Sequence, residues 1–148
     1  MNIKTVAVIG AGIMGRGIAH VSALAGFDTV LNDISDDLLQ DAMTRIRRDL
    51  QKGVEQGKIT NASMHSALER LALDTSLEHS GAGADLVIEA VPERIDLKLD
   101  VFARLDRACP PHAILASNTS ALSITEISSA TKRPQRFIGM HQRDRWSP

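Results

Sequence analysis

At 148 residues and 16.0 kDa the chain has the size of one domain, enough to bury about two-thirds of its unfolded surface without disulfides or metals. Apolar residues make up 43% and charged residues 24%, ordinary globular proportions that exclude wholesale disorder. Lysine plus arginine (17) nearly cancel aspartate plus glutamate (18), so nucleic acid and anionic membrane are not expected partners. Cys109 is the only cysteine, which rules out an internal disulfide or a cysteine-based metal cluster and makes the cytoplasm the expected location. The apolar start runs directly into glycines with no basic leader, so no signal peptide is expected. No apolar run approaches the roughly 20 residues of a membrane span.

Lys4 to Ile9 is short, apolar and β-branched, and reads as a buried strand bounded by Gly10. A helix follows from Ile13, with Ile13, Gly17, Val21 and Leu24 expected on its packed face and Gly26 as a left-handed stop. Asp28 to Asp33 is the second strand; Ser35 caps a long helix whose apolar stripe is Leu39, Met43, Ile46, Leu50 and Val54, closed by Gly57. Asn61 is expected to cap a shorter helix carrying Met64, Ala67, Leu68 and Leu71, so that the two form a hairpin inserted after the second strand. Leu71 to Leu73 reads as a brief strand, Gly81 and Gly83 as a loop, and Asp85 to Val91 as a further buried strand. Leu97, Val101, Leu105 and Ala108 mark a helix stopped by Pro110 and Pro111. Ala113 to Ala116 and Phe137 to Met140 read as strands on either side of a short helix, for which Ser123 and Glu126 have capping-box spacing. Alternating strands and helices predict a doubly wound α/β fold with a mostly parallel sheet.

Gly10-Ala11-Gly12-Ile13-Met14-Gly15 fits the G-x-G-x-x-G pattern, which is weak alone but here follows a strand, opens a helix and precedes Asp33 at the end of the next strand. In such a turn Gly10 permits the bend, Gly12 lets a pyrophosphate approach the backbone, and Gly15 allows the helix to close on the strand. An acid at Asp33 suits the adenosine ribose hydroxyls and repels a 2′-phosphate, which favours NAD over NADP. The competing reading is a glycine turn that serves packing alone, with Asp33 as a solvated strand end. Arg16 reads as a solvent-facing arginine that could also meet phosphate, and His20 as a helix-surface residue.

The segments VAVIGAGIMGRGIAHVSALAG, DLVIEAVPE, ILASNTSALSITEI and KRPQRFIGMH, in this order and spacing, closely resemble the NAD-binding domain of the 3-hydroxyacyl-CoA dehydrogenase family over residues 3 to 141. The resemblance implies a Rossmann-type domain over 1–141, and oxidation of L-3-hydroxyacyl-CoA to 3-ketoacyl-CoA with NAD, as in short-chain 3-hydroxybutyryl-CoA dehydrogenases of fatty-acid or butanoate metabolism. It places Gly10 to Gly15 and Asp33 on the adenosine half, Glu93 and Lys98 near the nicotinamide, and Asn118 against the cofactor. It makes Ser120 a contact to the reacting oxygen and His141 the proton acceptor, a role that needs a pKa near neutrality. It also implies an acyl-CoA substrate and a homo-oligomer for the full-length family, with the helical hairpin near CoA; Lys52 and Lys58 are candidates there. Without it, Ser117 to Ser120 read as a polar turn, Glu93 and Lys98 as a solvated helical pair, and His141 as a surface residue.

Beyond His141 the family pattern continues HFFNP, a glutamate partner for the histidine and a helical domain, whereas residues 142–148 read QRDRWSP, a divergent polar tail. The expectation is therefore a chain without that helical domain, truncated or frame-shifted, which binds NAD but turns over acyl-CoA negligibly alone. Two other functions stay open on sequence: a noncatalytic NAD-binding or interaction module, and an NAD dehydrogenase of sugar acids, since the SNTS segment is widely shared.

Overall fold

The computed structural model describes residues 2–119 and 124–140. In chain order the elements are β1 (Thr5–Ile9), α1 (Ile13–Leu24), β2 (Asp28–Asn32), α2 (Asp36–Glu55), α3 (Asn61–Arg70), β3 (Leu71–Asp74), α4 (Leu77–Ala82), β4 (Leu86–Glu89), α5 (Ile95–Ala108), β5 (Ile114–Asn118), α6 (Ile124–Ser128) and β6 (Phe137–Met140). Every strand pairing is parallel, and the sheet runs β3-β2-β1-β4-β5-β6. The chain steps outward from β1 in one direction and from β4 in the other, so a crevice opens between their carboxyl ends, where doubly wound sheets bind ligands.

Both faces of the sheet are covered, and alternation along β1 shows how. Val6 and Val8 enter a core with Ile18, Leu31, Leu39, Ile46 and Leu50, on the side of α1 to α3. Ala7 and Ile9 point to the opposite core, with Phe102, Leu105, Leu115 and Phe137. There the Phe102 and Phe137 rings meet edge to face at 4.8 Å.

The structure alters three expectations. On α1 the buried residues are Gly15, Ile18, Ala19 and Ala23, and Leu24 packs on the core as expected, whereas Ile13 and Val21 are 77% and 46% exposed and Gly17 is exposed as well. Small residues win this face because they let the helix lie close on the sheet. The cap of α3 is Thr60, whose side chain accepts from the Ser63 N–H, and Asn61 is the first helical residue. The stretch before Gly83 is helical: Ser76 caps α4 by accepting from the His79 N–H, and Gly81 packs where a Cβ would lie 2.9 Å from Cys109 Sγ. Glycine there marks close packing rather than a loop. Elsewhere Ser35 caps α2 as expected, and positive φ at Gly26 and Gly57 ends the preceding helices. Ser123 lies outside the described residues.

Two polar clamps tie distant segments. Arg133 donates to the carbonyls of Asp106, Cys109, Pro110 and Ala113 and pairs with the Asp106 carboxylate at 2.6 Å, closing the end of α5. Asp85 accepts from the Lys4 and Thr5 N–H groups and from His112, joining the starts of β1 and β4.

Candidate functional site

A cleft of about 870 Å³ occupies the crevice at the carboxyl ends of the strands. Gly10 to Met14, Asp33, Glu93, Asn118 and Thr119 are among its lining residues. Its volume falls within the range of small-molecule and cofactor sites.

One end is built from backbone. Gly10 has φ +106°, and a Cβ on it would lie 2.6 Å from the Ala90 carbonyl oxygen; a Cβ on Gly15 would fall 1.6 Å from the Gly10 carbonyl oxygen. These two glycines are required by packing within the protein itself. Gly12 differs: its Cβ position meets nothing within 4 Å. It is also the N-cap of α1 and supplies no side-chain cap, whereas α2, α3 and α4 are capped by Ser35, Thr60 and Ser76. The first-turn N–H groups of α1 are thus available to an anion. Asp33 accepts from the Ala11 N–H at 2.9 Å through one oxygen and from the Ser35 N–H at 3.0 Å through the other. Each oxygen keeps a further lone pair for a ligand hydroxyl. Room over Gly12, uncapped amides and a fixed carboxylate fit a dinucleotide's diphosphate and adenosine ribose.

The other end is built from side chains. Glu89 ends β4 inside the protein, at 0% exposure, and its two oxygens accept from Lys98 Nζ at 2.9 and 2.8 Å. One oxygen also accepts from Ser117 Oγ and the other from the Val91 N–H, both at 2.7 Å. Lys98, likewise at 0% exposure, reaches Glu93 at 2.9 Å and donates to the Asn118 carbonyl at 3.4 Å. Thr119 donates to Glu93. Four contacts thus converge on the Glu89 carboxyl, two on each oxygen.

Among the residues singled out from the sequence, Gly10, Ala11, Gly12, Ile13, Met14, Asp33, Glu93 and Asn118 all line the one cleft. Gly15 lies beneath it, packed on the turn. Lys98 does not reach the cleft surface: it is sealed below, between Glu89 and Glu93, and is not the solvated side chain its polarity suggests. Ser120, His141 and the tail 142–148 lie outside the described residues. Sequence reasoning missed Glu89 and Ser117. A glutamate at the end of an apolar strand, with a lysine nine residues on, was the available signal. It missed as well that Ile34 and Leu38, both solvent-exposed, extend the cleft beyond Asp33.

Groups elsewhere offer little chemistry. Burial pushes the Cys109 thiol up to about 11, so it is not a nucleophile near neutrality. His20 is half-buried on α1, and desolvation lowers its pKa with partial opposition from Asp49. Lys52 and Lys58 are exposed on the helical hairpin. Among the described residues there is no group of three or more metal-binding side chains, and no helix is long and apolar enough to cross a membrane.

Comparison with known proteins agrees with this geometry. The family model for the NAD binding domain of 3-hydroxyacyl-CoA dehydrogenase matches residues 5–144. A probable 3-hydroxybutyryl-CoA dehydrogenase of Bacillus subtilis is 45% identical over 141 residues, covering 95% of this chain and 49% of the relative. The 3-hydroxybutyryl-CoA dehydrogenase of Bradyrhizobium diazoefficiens is 48% identical over 139 residues, covering 94% and 47%. The crystal structure of 3-hydroxybutyryl-CoA dehydrogenase from Escherichia coli superposes with a TM-score of 0.91 at 44% identity, over 95% of this chain and 30% of that one. The chain spans about half the length of those two curated relatives. With the glycine turn, the acid after β2 and the sheet order already in place, the chain belongs to the NAD-binding domain of the 3-hydroxyacyl-CoA dehydrogenase family.

Proposed function

We propose that this chain is the cofactor-binding part of an enzyme that oxidises L-3-hydroxyacyl-CoA to 3-ketoacyl-CoA, and that it takes NAD in preference to NADP. The observation that carries the reading is the pairing of open space and uncapped amides at Gly12 with the Asp33 carboxylate on the same cleft wall. NAD, when bound, supplies the two-electron acceptor. The chain's own residues bind and orient: the first turn of α1 holds the diphosphate, Asp33 grips the ribose, and Glu93 and Asn118 bound the far end of the cleft.

In this proposal His141, which directly follows the last residue of β6, takes the hydroxyl proton, and Ser120, two residues beyond β5, hydrogen-bonds the reacting oxygen. Both assignments rest on the family's sequence pattern. The acyl-CoA substrate, a homo-oligomeric assembly and a cytoplasmic setting belong to the same proposal.

Calorimetric titration tests the nucleotide site. NAD is expected to bind, and Asp33→Ala to weaken it by about tenfold, the order of one or two charge-assisted hydrogen bonds. Undiminished affinity in that variant refutes the assignment of Asp33. Because the matched segment is half of its relatives, the 148 residues alone are expected to bind NAD yet reduce it only slowly with 3-hydroxybutyryl-CoA. Turnover near that of a full-length relative counts against this.

A further inference from the structure

Glu89 is the most fully enclosed acid in the described structure and reaches no ligand surface, yet it touches both walls at one end of the cleft. Through the Val91 N–H it holds the turn that carries Val91 and Glu93, and through Ser117 Oγ it holds the end of β5, next to Asn118 and Thr119. Through Lys98 it extends that hold to Glu93 and to the Asn118 carbonyl. Buried ion pairs are a poor source of stability, because desolvation offsets most of the attraction; their better-attested use is to impose one arrangement. We infer that Glu89 is a positioning residue for the nicotinamide end of the bound cofactor: it acts through Lys98, Val91 and Ser117 to fix the two cleft walls between which that end must lie.

The direction follows from the cleft. The glycine turn lies between its two ends, and Asp33 claims one end for the adenosine side. A dinucleotide crossing the turn therefore places its other half against the exits of β4 and β5. The inference rests on the nucleotide reading of the cleft. It requires a carboxylate at position 89, since each oxygen receives two donors. In Glu89→Gln, either orientation of the amide sets an NH₂ against the Lys98 ammonium, and one of them sets it against the Val91 N–H as well.

The test compares NAD with ADP, which shares only the adenosine half, by calorimetry on the full chain, alongside the fluorescence of bound NADH. Glu89→Gln is expected to weaken NAD about five- to tenfold, the order of one or two disturbed charge-assisted hydrogen bonds. It should leave ADP within about twofold and reduce the NADH fluorescence change. Because burying an amide there threatens folding, the pair Glu89→Gln with Lys98→Met is measured as well. It removes both charges together and lets Ser117 accept from the amide, so a folded protein that keeps the NAD defect with normal ADP affinity supports positioning. Equal losses of NAD and ADP, or normal affinity for both, overturn the inference in either variant. A wild-type chain that binds neither ligand overturns the nucleotide reading and this inference with it; one that binds ADP but shows no NAD-specific defect on mutation overturns only this one.

Discussion

The two ends of the cleft solve the same problem with different materials. Around Gly12 the wall of the cleft is backbone, with uncapped amides at the start of α1, steered by Gly10, Gly12, Gly15 and Asp33. At the exits of β4 and β5 the walls are set by a buried cluster of Glu89, Lys98 and Ser117 with Glu93 at the surface, drawn from two strands, a helix and their loops. The first end is local and tolerates no added bulk where the chain crosses itself. The second is assembled over long range and tolerates no unmatched charge.

Substitutions at the glycines probe the first end hardest. Gly15→Ala places a methyl carbon 1.6 Å from a backbone oxygen that cannot withdraw, so a loss above about 4 kcal/mol or outright failure to fold is expected in denaturant unfolding. Gly12→Ala meets no protein atom and is expected to change stability by about 1 kcal/mol or less while weakening NAD. If both variants unfold alike, the distinction between a packing glycine and a ligand glycine is wrong.

At the second end, Lys98→Met strands the Glu89 carboxylate in the interior, and a loss of about 3–5 kcal/mol is expected in the same measurement. A loss under about 1 kcal/mol shows that the carboxylate is not left stranded, and removes the contrast with the backbone-built end.

Acid titration gives a smaller effect, at the amino ends of the two central strands. Hydrogen bonding from His112, then from the Lys4 and Thr5 N–H groups, holds the Asp85 carboxyl down to about 2. A pKa below the unfolded value of about 4 means stability that is present above that pH and is lost as pH falls toward 2. The contribution is about 1 kcal/mol after solvent screening, and Asp85→Asn should remove this part of the acid dependence. Thr60→Ala, which loses the cap of α3 on the helical hairpin, is expected to cost about 0.5–1 kcal/mol in thermal unfolding without altering NAD affinity.

How far the molecule can be read from its sequence follows the same division. The strand runs, the cap at Ser35, the stops at Gly26 and Gly57, and the glycine turn with its acid are signals confined to a few neighbouring residues, and they place one end of the cleft. The α1 face was misread because periodicity counts large apolar side chains, whereas the sheet accepted Gly15, Ala19 and Ala23 and turned Ile13 and Val21 to solvent. The helix before Gly83 was read as a loop because glycines signal turns, and only the approach of Cys109 shows why one is needed there.

Local propensity, capping and backbone sterics act over a turn or less, so the amino-acid order alone determined most of the strands and helices, the helix stops at Gly26 and Gly57 and the glycine turn. Whether a charged side chain is solvated or sealed depends on partners 9, 20 and 28 residues away, as for the contacts that join Lys98 to Glu89 and Asn118, and Ser117 to Glu89. Only the folded sheet brings those groups within hydrogen-bonding distance, and it turned an apparently solvated helical lysine into the buried tie between two strand ends.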